Sequence, residues 1–183
     1  GDYALFAGGS GPSSVVDAYN SSLVRSTPTE LSQARDNLAG ASVGDYALFA
    51  GGSGPSSVVD AYNSSLVRST PTELSQARYG LAGASVGDYA LFGGGNPSSS
   101  VVDAYNSSLV RSTPTALSKA RGYLAGASVG DYALFGGGNP SSSVVDAYNS
   151  SLVRSTPTEL SQARYGLAGA SVGDYALFAG GSG

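Results

Sequence analysis

Apolar residues fall in short runs stopped by glycine, proline, asparagine or serine, and none holds a helical period for long. The first run, 3–7, reads YALFA and ends at Gly8 and Gly9. The second, 14–19, carries the β-branched pair Val15 and Val16 and ends at Asn20. A third, 23–27, is closed by Pro28, and a fourth, 38–43, mixes small and apolar residues before Gly44 and Asp45. Four strands separated by turns are the reading. Residues 29–38 include good helix formers, but Pro28 and Gly40 leave too little length for a stable helix. An irregular connection or a single helical turn is expected there.

The pattern then repeats. GDYALF begins at Gly1, Gly44, Gly87, Gly130 and Gly173, which defines repeats 1–43, 44–86, 87–129 and 130–172 and a partial repeat 173–183. Residues 173–183 copy residues 1–11 letter for letter. A period in the low forties with four strands predicts an all-β fold: a β-propeller of four-stranded antiparallel blades, each sheet stacked on the next. Blades bury both faces, so YALFA needs no strict alternation. Space is shortest at the axis, so the small side chains of Ala39, Gly40, Ala41 and Ser42 mark 38–43 as the innermost strand.

Within each repeat a glycine pair closes a strand, an acidic residue and a tyrosine follow, then a proline and an arginine. These are Gly8, Gly9, Asp17, Tyr19, Pro28 and Arg35, with copies such as Gly51, Gly52, Asp60, Tyr62, Pro71 and Arg78. In this the whole chain resembles kelch repeats. The resemblance implies a four-stranded blade, a closed ring and a protein- or glycan-binding role. The tryptophan usual on the outer kelch strand is absent, and Leu23 or Val24 stands near its place.

Each repeat opens at the second strand of a blade, so an inner strand late in one repeat pairs with the first strand of the next. Residues 167–172 then have two possible partners, 174–180 and 2–8. The 183 residues form either a single propeller domain or half of a ring, and self-association of two chains into an eight-bladed ring is the expectation. A chain that starts without Met in mid-repeat also suggests processing or excision.

Composition narrows the chemistry. Net charge is −4, and nine basic residues are spread evenly among thirteen acidic ones, so no basic stripe points to nucleic acid. No apolar run approaches the ~20 residues of a membrane span. The chain has no Cys and no His, which removes thiols, the usual catalytic base and the best zinc ligands, and leaves the compartment undetermined. We expect no enzyme, no catalytic residues and no cofactor. Asp17, Asp60, Asp103 and Asp146 recur once per repeat; pairing with an arginine such as Arg35, or capping a turn, is expected before calcium binding. The Gly8–Gly11 loop lacks the lysine and helix of a phosphate loop and reads as a turn. Asn20, Asn63, Asn106 and Asn149 each start an N-x-S sequon or a turn.

Variation between copies gathers in loops. Asp36 and Asn37 align with Tyr79 and Gly80, Gly122 and Tyr123, and Tyr165 and Gly166, while Asn96 and Asn139 replace Ser10 and Ser53. Binding residues on rigid scaffolds sit on such loops, and tyrosine often anchors interfaces. The candidate ligand-binding residues are therefore Tyr79, Tyr123, Tyr165, Asn96 and Asn139, and no metal ligands are assigned. The expected function is a non-catalytic module for a protein or glycan ligand. The alternative is a structural repeat scaffold without a ligand, the product of recent duplication or of design.

Overall fold

The computed structural model describes residues 2–183. Seventeen strands make five antiparallel sheets in chain order. The first sheet has three strands, Tyr3–Ala7 (β1), Val16–Asn20 (β2) and Arg25–Ser26 (β3). The second is a full four-stranded unit of Ala39–Val43 (β4), Tyr46–Ala50 (β5), Val59–Tyr62 (β6) and Arg68–Ser69 (β7). The third repeats it with Ala82–Val86 (β8), Tyr89–Gly93 (β9), Val102–Asn106 (β10) and Arg111–Ser112 (β11). The fourth does so with Ala125–Val129 (β12), Tyr132–Gly136 (β13), Val145–Asn149 (β14) and Arg154–Ser155 (β15). The last sheet is the hairpin Ala168–Val172 (β16) and Tyr175–Ala179 (β17).

The hairpin is fixed by its turn. Val43 lies opposite Tyr46, and Gly44 between them sits at φ +51°, a left-handed conformation that glycine adopts at little cost. The β4-type strands lie side by side, as small side chains permit. A Cβ on Gly83 would overlap the Gly40 carbonyl oxygen, and one on Gly126 would overlap that of Gly83. Further along the same strands a serine ladder joins the repeats. Ser85 Oγ donates to the Ser42 carbonyl at 2.7 Å, Ser128 Oγ donates to that of Ser85 at 2.7 Å, and the Ser42 and Ser85 N–H groups donate back to the next serine. The 38–43 run is thus the strand through which successive sheets approach most closely, as its small side chains allow.

The middle sheets are buried on both faces, which is why YALFA does not alternate. Leu48, Ala50, Val59 and Ala61 of one sheet pack with Ala90, Phe92 and Tyr105 of the next, and the next interface repeats the set. Within each sheet Phe49 meets Tyr62 edge to face with ring centroids 6.1 Å apart, and Phe92–Tyr105 and Phe135–Tyr148 copy it.

Two strands differ from their sequence reading. The second starts at Val16 rather than at residue 14, because the Ser14 carbonyl is taken by the Leu31 N–H at 2.8 Å. The outer strand shrinks to Arg25–Ser26, because Leu23 turns at φ +59° and donates its N–H to the Asn20 carbonyl. Residues 29–38 form bends and a bridge between Ser13 and Arg35, without a helical turn. The sheets do not close a ring among the described residues. β16 pairs with β17, its own continuation, with Ala168 opposite Ala179, and β1 pairs with β2 alone.

Candidate functional site

The variable residues converge at one end of the β4-type strands. Asn37, Gly80, Tyr123 and Gly166 occupy the same place in successive repeats, and each hands a backbone hydrogen bond to the previous one. The Gly80 N–H donates to the Asn37 carbonyl at 2.8 Å, Tyr123 to Gly80 at 2.6 Å and Gly166 to Tyr123 at 2.8 Å. All four residues have a left-handed backbone, with φ of +50°, +59°, +50° and +65°. Glycine and asparagine tolerate this; a tyrosine there costs about 1–2 kcal/mol. Beneath them Leu38, Leu81, Leu124 and Leu167 complete a shallow cavity of about 210 Å³.

The strained Tyr123 places its ring over Gly80, where a Cβ would come within 2.9 Å of ring atoms. The same ring meets Tyr79 edge to face, centroids 6.1 Å apart. Asn96 is held beside them. Its N–H donates to the Tyr79 carbonyl at 2.8 Å, and its side-chain amide lies against Gly122, where it leaves no space for a Cβ. Asn139 is joined in the same way to Gly122, and Tyr165 to Ser182, both through paired backbone bonds. The structure therefore gathers Tyr79, Tyr123 and Asn96 into one cluster. Asn139 attaches next to Tyr123, and Tyr165 lies one repeat further on, exposed. The leucine floor was missed in the sequence because it does not vary between copies.

The recurring acids have a different role. Asp60, Asp103 and Asp146 are fully buried, and each binds the arginine that ends the preceding repeat's loop: Arg35, Arg78 and Arg121. Each also meets an arginine of its own sheet, Arg68, Arg111 or Arg154, at 3.0–3.3 Å. The backbone N–H groups of Ser32, Ser75 and Ser118 donate to Oδ1, the same oxygen that this second arginine holds. Among the described residues no cluster of three metal-ligating side chains is present. Burial lowers the pKa of Arg35, Arg78 and Arg121, and the facing carboxylates oppose that shift. The asparagines of the N-x-S sequences are turn caps: Asn20 Oδ1 accepts from the Ser22 and Val24 N–H groups at 3.0 and 2.9 Å.

The tyrosine two residues after each buried acid reaches across the same joint. Tyr62, Tyr105 and Tyr148 donate their hydroxyls to the carbonyls of Thr29, Thr72 and Thr115 at 2.7–2.8 Å. Burial, then the nearby Asp60 charge, pushes the Tyr62 pKa up to about 12, and burial raises Tyr105 and Tyr148 further. The folded state thus holds these protons more tightly than the unfolded chain, whose tyrosines titrate near ~10. Their contribution is complete below pH ~10, is lost for Tyr62 as pH rises to about 12, and is lost higher still for the other two. Urea midpoints recorded from pH 8 upward are expected to stay level and then fall across that window. A midpoint that never falls would contradict it.

Side-by-side antiparallel sheets repeating every 43 residues define an all-β tandem-repeat protein. Among solved structures the chain is similar to YjhT, a kelch-type propeller. The TM-score is 0.78 at 14% identity, over 98% of this chain and 70% of that one. No family model matches the sequence, and no curated protein matches it.

Proposed function

We propose that the chain is a non-catalytic binding module for a protein or glycan ligand, built on kelch-like blades of a propeller ring, with its ligand face at the Tyr79, Tyr123 and Asn96 end of the axis. The observation that carries this reading is Tyr123. Its aligned neighbours are glycine or asparagine, yet here a tyrosine accepts a left-handed backbone and sets its ring beside Tyr79. A strained tyrosine kept where the aligned copies carry glycine or asparagine points to use. Tyr123, Asn37, Gly80 and Gly166 line a depression with a leucine floor, and half-buried Tyr79 lies against the Tyr123 ring beside it. That combination suits stacking with a few oriented polar contacts. Non-catalytic character rests on the absence of His and Cys and on carboxylates already committed to arginines.

Tyr123→Gly separates ligand from scaffold. It relieves the backbone and removes the ring, so stability is expected to rise by about 1 kcal/mol. Binding to glycan and peptide arrays is expected to fall at least tenfold, as for an aromatic anchor. Selective binding that survives Tyr123→Gly would reject this face, and a wild-type chain that binds nothing on either array would favour the ligand-free scaffold.

A further inference from the structure

The same joint appears three times inside the chain, and its two halves are also displayed separately, on the first sheet and beside the last. In each internal joint an arginine, a serine N–H and a threonine carbonyl of one repeat receive an aspartate and a tyrosine of the next. Arg35, Ser32 and Thr29 take Asp60 and Tyr62; Arg78, Ser75 and Thr72 take Asp103 and Tyr105; Arg121, Ser118 and Thr115 take Asp146 and Tyr148.

On the first sheet the matching aspartate and tyrosine are uncovered. Asp17 meets Arg25 alone, at 3.1 Å, and its side chain is 32% exposed where Asp60, Asp103 and Asp146 are at 0%. Tyr19 is 37% exposed, against 0–1% for Tyr62, Tyr105 and Tyr148, and Leu23 is 82% exposed. Beside β1, where the next three sheets carry an inner strand, lies a cavity of about 260 Å³ lined by Tyr3, Leu5, Ser42 and Tyr46 among others.

The last sheet shows the other half. Arg164 donates to the Gly180 and Phe178 carbonyls at 3.0 and 3.1 Å, as Arg78 does to Gly94 and Phe92, but among the described residues no carboxylate pairs with it. Thr158 and Ser161 stand in the places of Thr29 and Ser32.

Resting on the propeller reading above, we infer that the first sheet of this chain docks the last sheet of a second copy, and that two copies joined twice in this way close an eight-bladed ring. At each joint the Asp17 carboxylate accepts from Arg164 and the Ser161 N–H of the partner copy, and the Tyr19 hydroxyl donates to the partner copy's Thr158 carbonyl. β16 becomes the inner strand of the blade that β2 and β3 complete. β1 and β17 have the same sequence, so either supplies the second strand with one register and the other is released. The occupant is specified by charge and by pattern: the surface presents the acceptor half of a joint whose donor half is on the same molecule.

The test is the mass of the 183-residue chain by light scattering, with Asp17→Ala and Arg164→Ala beside it. The expected mass is twice 18.1 kDa. Each variant is expected to weaken the assembly at least ~30-fold, the low end for losing one partner of a buried interfacial charge pair. Because Asp17 is only partly covered in the single chain and pairs with Arg25 alone, Asp17→Ala will keep the wild-type circular dichroism spectrum. An equimolar mixture of Asp17→Ala and Arg164→Ala is expected to regain part of the paired mass through the one intact joint that such a pair retains. A mass of 18.1 kDa at every concentration overturns the inference, as does an open-ended series of larger species. So does an assembly indifferent to both variants. A β-rich monomer whose small-angle scattering fits the open array would leave the blade reading standing, whereas a helical spectrum would end both.

Discussion

Asp103→Ala is expected to lower the unfolding free energy by about 3–5 kcal/mol, measured by urea denaturation. Asp103 is fully buried and neutralises Arg78, which is itself 1% exposed. Removing the carboxylate leaves a buried guanidinium without its counter-charge and strands the Ser75 N–H, which donates to Asp103 at 3.1 Å. Replacing both members of a buried pair with apolar groups is often harmless, but not here. Arg78 also donates to the carbonyls of Gly94 and Val101, so Arg78→Met with Asp103→Leu orphans the buried Gly94 acceptor and leaves the Val101 carbonyl with the Gly94 N–H alone. The double variant is therefore expected to be no more stable than Asp103→Ala. A double variant restored to wild-type stability would show that the arginine serves as counter-charge alone.

Gly126→Val is expected to cost about 3 kcal/mol, the upper end for inserting bulk into a packed interior. The β4-type strands leave no gap at this level, and any Cβ on Gly126 would overlap the Gly83 carbonyl oxygen. The obstacle is backbone, which cannot swing aside as a side chain does. Gly169 sits against the Gly126 carbonyl in the same way, so spreading one pair of strands disturbs the next. The readout is the shift in urea midpoint at constant slope. An unchanged midpoint would mean that the strands separate freely and that glycine is not required.

Much of the strand layout was legible because the repeat shows it several times. The turns at Gly44 and its copies, the doubly buried YALF runs and the close approach of the small-residue strands all follow from residue size and turn chemistry. The outer strand was overestimated: Leu23 is apolar but takes a left-handed backbone, and only the hydrogen bond to Asn20 reveals it. The sequence suggested that the aspartates meet arginines, yet nothing local says that Arg35 crosses to the next sheet to reach Asp60. Nor did alignment columns reveal the site. Tyr79 and Tyr123 stand in adjacent columns of different repeats, and they touch because the left-handed turn at Tyr123 swings its ring back over Gly80. Loop variation marked residues that the structure brings together at Tyr79, Tyr123 and Asn96, while the leucines beneath them are the same in every copy.

The division of each joint between two successive units has a consequence for how such a chain grows. Neither half of the unit satisfies its own buried charges, so a solitary 43-residue copy has little reason to fold, and each added copy gains its stability at the boundary it forms. Free energy then accumulates boundary by boundary, in the manner of a one-dimensional lattice with strong nearest-neighbour coupling. An in-frame duplication inserted anywhere contributes one whole boundary and leaves no orphaned group, because the new copy donates Arg35-like and receives Asp60-like groups from the start. Lengthening by tandem copying is thus conservative in this architecture, while a substitution at Arg35 or Asp60 must be matched across the boundary, in the neighbouring copy.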